Sequence, residues 1–196
     1  MNLPNKLTFL RIVLIPFVML FIMMGVERPL FMYIAFALFV IACLTDFLDG
    51  YIARKYNLVT NLGKFMDPIA DKLLIICTLI CFVQIGGCMV YDHVWWVLAL
   101  IVAREIAITG FRTIAAERGV VIAANMYGKL KTNAQMFWTI FLILYMPLKL
   151  LLPQNIMFIY EIVTMVLLGL TAFLTILSFT IYLIQNKKVL KDNEDK

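Results

Sequence analysis

Residues 41–75 read IACLTDFLDGYIARKYNLVTNLGKFMDPIADKLLI and place four aspartates, Asp46, Asp49, Asp67 and Asp71, in chain otherwise apolar enough to dissolve in lipid. Helical spacing sorts them into two stripes. Asp46, Asp49, Gly50 and Ala53 fall at i, i+3, i+4 and i+7 on one helix face, and Gly63, Asp67 and Asp71 recur every four residues on the next helix. With the two helices side by side, four carboxylates converge beside two residues that lack side chains.

Charge then constrains the chemistry. An ionised aspartate at the centre of a membrane helix costs roughly 2.5–3.5 kcal/mol on insertion scales, and crowded like charges oppose one another's ionisation. The local bases are too few to pair with all four, so either some carboxylates are protonated or divalent cations sit among them. Oxygen-only ligand sets suit hard ions such as Mg²⁺, Mn²⁺ or Ca²⁺, and Mg²⁺ commonly combines one or two carboxylates with substrate phosphate oxygens. Two ions bridged by shared aspartates is the simplest arrangement for four carboxylates. Gly50 and Gly63 would let a bulky phosphorylated ligand approach the backbone.

Working outward, the whole chain of 196 residues is 64% hydrophobic and 15% charged, which is too apolar for one soluble core. Apolar runs long enough to span a bilayer, which takes roughly 20 residues, lie near 7–25, 30–54, 64–87, 94–118, 130–152 and 156–184. They predict an all-α integral membrane protein with six transmembrane helices in a single domain over 1–196, without internal repeats. At the N-terminus, Pro4 and Asn5 read as a turn leading into the first helix. That helix continues through Phe21 and Met24 with no small-residue cleavage site, so it reads as a retained span and not a signal peptide.

Basic residues set the topology. Lys6, Arg11, Arg54, Lys55, Lys64, Arg118, Lys129, Lys131 and the C-terminal lysines fall on one side of six alternating helices, and the opposite loops carry only Arg28 and Lys149. The positive-inside rule therefore puts both termini and the aspartates at the cytoplasmic face of the membrane. The net charge of +5 reads as topology with some attraction to anionic lipid, and calls for no nucleic acid. Cys43, Cys77, Cys81 and Cys88 lack the further ligands of a zinc site and read as inert thiols. His93 reads as solvated in an outward loop beside Asp92, and Trp95 and Trp96 as an interfacial aromatic belt.

As a pattern, the opening stretch is D-x2-D-G-x2-A-R-x8-G-x3-D-x3-D, running through Asp46, Asp49, Gly50, Ala53, Arg54, Gly63, Asp67 and Asp71. It resembles, at every fixed position, the signature of the CDP-alcohol phosphatidyltransferases, integral membrane enzymes that build phospholipid head groups. That resemblance implies the family's six-helix fold, two divalent metal ions (Mg²⁺ or Mn²⁺), a CDP-linked lipid donor and a homodimer. Asp46, Asp49 and Asp67 are the firmest metal-ligand candidates. Asp71 is a further metal-ligand candidate, and the resemblance also gives it the role of base toward the acceptor hydroxyl. Arg54 is placed to meet a phosphate or the ribose side of the nucleotide. Gly50 and Ala53 leave room for cytidine, and Asn5 and Thr8 line the same slot.

Four further basic residues form a second set. Arg104 and Arg112 are eight residues apart, near one face of the fourth span and about 12 Å along its axis, with Glu105 available to either. Lys129 and Lys131 open the fifth span at the cytoplasmic boundary. Snorkelling alone explains such lysines, but cations deep in an apolar helix are functional candidates. Together Arg104, Arg112, Lys129 and Lys131 fit a pocket for a water-soluble acceptor bearing its own phosphate, such as glycerol 3-phosphate. Within the family, N-x2-T-x2-R at Asn5, Thr8 and Arg11, AREI at 103–106 and GKLKT at 128–132 resemble the bacterial branch that transfers a phosphatidyl group from CDP-diacylglycerol to glycerol 3-phosphate. Competing readings are a sister transferase making cardiolipin, phosphatidylserine or an inositol-phosphate lipid, and a cation transporter. Against the transporter, the aspartates cluster at one membrane edge and form no relay across it.

Overall fold

The computed structural model describes residues 3–55, 61–117 and 126–186, and the regular elements among them are all helices. These are α1 (Leu3–Gly25), α2 (Leu30–Lys55), α3 (Asn61–Ile85), a one-turn α4 (Met89–Asp92), α5 (Val94–Glu117), α6 (Met126–Leu151) and α7 (Gln154–Gln185). Among the described residues six helices are long and apolar enough to cross a membrane, as the sequence predicts. Two local details differ from expectation. Pro4 is not in a turn before the first helix but inside the first turn of α1, where a backbone N–H has no intrahelical acceptor and its loss costs nothing. The outward loop after α3 contains α4. Gly86 and Gly87 take positive φ of 50° and 73° to reverse the chain, the Gly87 N–H donates to Asp92 Oδ1 at 2.8 Å, and His93 caps α4 while remaining exposed.

The buried residues of α1 are Asn5, Thr8, Arg11, Ile15, Val18, Ile22 and Gly25, spaced by threes and fours along one stripe. The same face that packs as core near Val18 and Ile22 is therefore polar near Thr8 and Arg11. On α2, Met32, Ala35, Phe39, Ala42 and Thr45 are buried at comparable spacing, and this line leads directly to Asp46. Small residues draw the two helices together: a Cβ on Gly25 would lie 2.5 Å from Met32 Cγ. Lipid is as apolar as this core, so close packing and interhelical polar contacts hold the bundle more than hydrophobic transfer does. Exposed Phe9, Phe17, Leu44, Phe47 and Phe173 form part of the surface offered to acyl chains.

Helix α1 packs most extensively on α2 and next on α3, whereas α2 and α3 touch each other sparingly. On the other side α6 packs on α7 and α2, and α5 on α7 and α3. This order places α1 against both aspartate-bearing helices and leaves a cleft where α3, α5 and α6 approach one another.

Candidate active site

Helix α1 connects the two aspartate stripes. Thr8 Oγ1 donates to Asp67 Oδ1 on α3 at 2.6 Å, and Arg11 Nη1 lies 2.5 Å from Asp46 Oδ1 on α2. Arg11 is fully buried, while the Asp46 side chain is 44% exposed. The sequence pictures α2 and α3 lying side by side; the structure instead joins their carboxylates through α1. Asn5, one turn before Thr8, is buried on the same stripe. Gly63 is buried and Gly50 partly so. The side chains of Asp49, Ala53 and Arg54 lie outside the described residues, although α2 carries their backbone.

One turn beyond Asp67, Asp71 lines a cleft of about 470 Å³ between α3, α5 and α6. Arg104, Arg112, Lys129 and Lys131 all line the same cleft, so the four basic residues chosen from sequence share one space with the proposed base. Lys72 and Glu105 line it too. Its described walls carry five basic side chains against two carboxylates, a formal excess of three positive charges. Asp71 lies within electrostatic range of Asp46 and Arg11 on one side and of Lys131 and Glu105 on the other. It is the link between the aspartate cluster and the cationic cleft.

Glu105 organises the cations. Its carboxylate receives Arg104 at 2.8 Å, Lys131 at 2.9 Å and Lys72 at 3.0 Å, so one side chain ties together α5, α6 and α3. Lys131 is only 3% exposed, and such a buried ammonium requires a nearby anion. Arg104 also reaches Ser178 Oγ on α7 at 3.4 Å. Arg112 makes no pair with Glu105; its guanidinium lies over the Tyr182 ring, 5.9 Å from the centroid. Lys129 is exposed at the cleft edge. The sequence placed Arg11 among the topological charges and in the N-x2-T-x2-R pattern but not at the aspartates, and Lys72 was passed over. The available signal was the N-x2-T-x2-R spacing, which sets Arg11 on the Asn5–Thr8 face, and the position of Lys72 next to Asp71.

A family model for CDP-alcohol phosphatidyltransferase matches residues 1–177. The chain belongs to that family. Its relatives include a protein of Bacillus subtilis (strain 168), 47% identical over 144 residues, 68% of this chain and 72% of the relative. One of Rickettsia bellii is 40% identical over 177 residues, covering 90% and 91%, and one of Haemophilus influenzae is 36% identical over 197 residues, covering 98% and 97%. All three are named CDP-diacylglycerol--glycerol-3-phosphate 3-phosphatidyltransferase.

CDP-alcohol phosphatidyltransferases are enzymes that generally depend on a divalent metal. The donor set here suits such an ion. Asp46, Asp67 and Asp71 offer only oxygen, and the contacts from Arg11 and Thr8 each engage one oxygen of Asp46 and Asp67 and orient the other. Among the described residues no three acidic, histidine or cysteine side chains meet closely enough to enclose an ion, and Asp49, the expected fourth ligand, has its side chain outside them.

Proposed function

We propose that this phosphatidyltransferase moves the phosphatidyl group of CDP-diacylglycerol to sn-glycerol 3-phosphate, giving phosphatidylglycerophosphate and CMP. The observation that carries this reading is the cleft in which Asp71 and an excess of basic side chains face the same space. A neutral alcohol acceptor gives no reason for Arg104, Arg112, Lys129 and Lys131 to gather there, whereas a phosphate dianion does. The names of the relatives point to the same acceptor.

In this mechanism Asn5, Thr8, Asp49, Gly50, Ala53, Arg54 and Gly63 bound the slot for the CDP moiety, and the acyl chains remain in lipid. Asp46, Asp49, Asp67 and Asp71 would hold two divalent ions, Mg²⁺ or Mn²⁺. When bound, these supply neutralisation of pyrophosphate charge and stabilise the departing CMP. Arg104, Arg112, Lys129 and Lys131 hold the acceptor phosphate and so bring its primary hydroxyl toward Asp71. Asp71 takes the hydroxyl proton as the oxygen attacks the lipid-side phosphorus. Positioning and charge complementarity supply most of the rate, as is general for phosphoryl transfer. The reaction is placed at the cytoplasmic face of the bacterial inner membrane, where basic side chains concentrate, with both termini on that side and the chain acting as a homodimer.

The test offers the purified protein CDP-diacylglycerol with glycerol 3-phosphate, phosphatidylglycerol, serine or inositol phosphate in turn. CMP release with glycerol 3-phosphate alone, abolished by chelation and restored by Mg²⁺ or Mn²⁺, is expected. Preference for another acceptor, or chelator-resistant turnover, overturns the corresponding part of the assignment.

A further inference from the structure

At the far end of the bundle from the aspartates, α6 and α7 enclose a second cleft that the phosphatidyl transfer does not use. Lys149 lies eighteen residues after Lys131 on α6, about 27 Å along the axis, which is close to the hydrocarbon thickness of a bilayer. The cleft, about 790 Å³, is lined by Lys149, Gln154, Asn155, Phe158 and Glu161 among others. A narrower apolar groove of about 300 Å³ continues from it along α7 past Ile162, Met165 and Val166, and the two share Phe158 and Glu161.

Glu161 needs an explanation. It stands about 10 Å into α7, among exposed Phe158, Ile159, Ile162 and Val163, on a surface otherwise suited to acyl chains. A carboxylate at such a position is costly unless something cationic or hydrogen-bonding meets it. Tyr145, itself 2% exposed, donates its hydroxyl to Glu161 Oε1 at 2.7 Å and thereby fixes the carboxylate toward the cleft. Lys149 does not pair with Glu161; its ammonium sits 5.7 Å from the centroid of the same Tyr145 ring. One tyrosine thus contacts both a cation and an anion at the head of a groove lined by apolar side chains.

We propose that this cleft binds one zwitterionic phospholipid with a primary ammonium head group, of the phosphatidylethanolamine class, from the leaflet opposite the catalytic cleft. Its phosphate meets Lys149 and the amides of Gln154 and Asn155, its ammonium donates to Glu161, and one acyl chain lies along Phe158, Ile162 and Val166. The balance of one cation against one anion favours a zwitterion over an anionic lipid. A quaternary ammonium cannot donate hydrogen bonds to Glu161, and Phe158 alone is no aromatic cage for it.

The experiment is native mass spectrometry of the full chain released from nanodiscs that contain equal phosphatidylethanolamine, phosphatidylcholine and phosphatidylglycerol. One retained phosphatidylethanolamine per chain is expected, reduced about tenfold by Glu161→Gln or Lys149→Met, the scale of a lost charge-assisted hydrogen bond. Glu161→Gln keeps an acceptor for Tyr145, so the fold is preserved, and both variants retain wild-type phosphatidyl transfer in bilayers free of phosphatidylethanolamine. Equal retention of the three lipids, retention unchanged in both variants, or a change of oligomeric state in Glu161→Gln, which marks a contact between two copies, overturns the proposal.

Discussion

Arg104 and Arg112 lie two turns apart on α5 and line the same cleft, yet they are restrained differently. Arg104 is fixed by Glu105 and Ser178, whereas Arg112 rests on the face of Tyr182 and can turn toward an arriving phosphate. Arg112→Ala should therefore raise KM for glycerol 3-phosphate on the order of tenfold to a hundredfold, the range of one or two charge-assisted hydrogen bonds, with Tm nearly unchanged. Arg104→Ala should raise KM and also lower Tm, because it removes one of the three cations gathered by Glu105. Steady-state kinetics with a melting curve separates the two; a larger effect on KM for CDP-diacylglycerol in either variant refutes the pocket assignment. For Asp71 the expected split is different. Asp71→Asn should abolish turnover and leave CDP-diacylglycerol binding measurable, and near-normal turnover would remove Asp71 as the base.

At the scale of helices, the sequence revealed faces but not partners. The i, i+3, i+4, i+7 spacing of Asp46, Asp49, Gly50 and Ala53 was readable because helix geometry is local. That α1 stands against both stripes was not, since Thr8 and Asp67 are 59 residues apart and no periodicity records which helix is next to which. Glu105 appeared from sequence as a neighbour for an arginine of its own helix; its other partners, Lys72 and Lys131, come from α3 and α6. The Arg11–Asp46 pair makes this interhelical dependence testable. Arg11 is fully buried and Asp46 is 44% exposed, so water can rehydrate the aspartate when its partner is lost but cannot reach the arginine as readily. Asp46→Asn should consequently lower stability by more than Arg11→Met, with a cost on the order of 2 kcal/mol for replacing a charged acceptor at the buried guanidinium by a neutral one. Melting in chelator, which removes any metal contribution, measures the difference. Equal losses, or a larger loss for Arg11→Met, would mean that packing of α1 outweighs the ion pair.

For the molecule as a whole, the two ends of the bundle carry contrasting charge. Lys6, Arg11, Lys55, Lys72, Arg104, Arg112, Lys129 and Lys131 lie toward the end where the aspartates and the cationic cleft are found, whereas Arg28 and Lys149 at the other end stand among Glu27, Asp92 and Glu161. An acceptor made in the cytosol would reach a net-positive cleft from that side, where the field of these side chains raises its local concentration. The proposed orientation opens the cleft to the cytosol; were the bundle inverted, the cleft would open away from cytosolic glycerol 3-phosphate. In a variant with its four cysteines replaced, His93→Cys, exposed at the cap of α4, should react with a membrane-impermeant maleimide on intact spheroplasts. Lys55→Cys, exposed at the end of α2, should react only after permeabilisation. The reverse pattern would place the cleft outside the cell and leave the proposed acceptor without access to it.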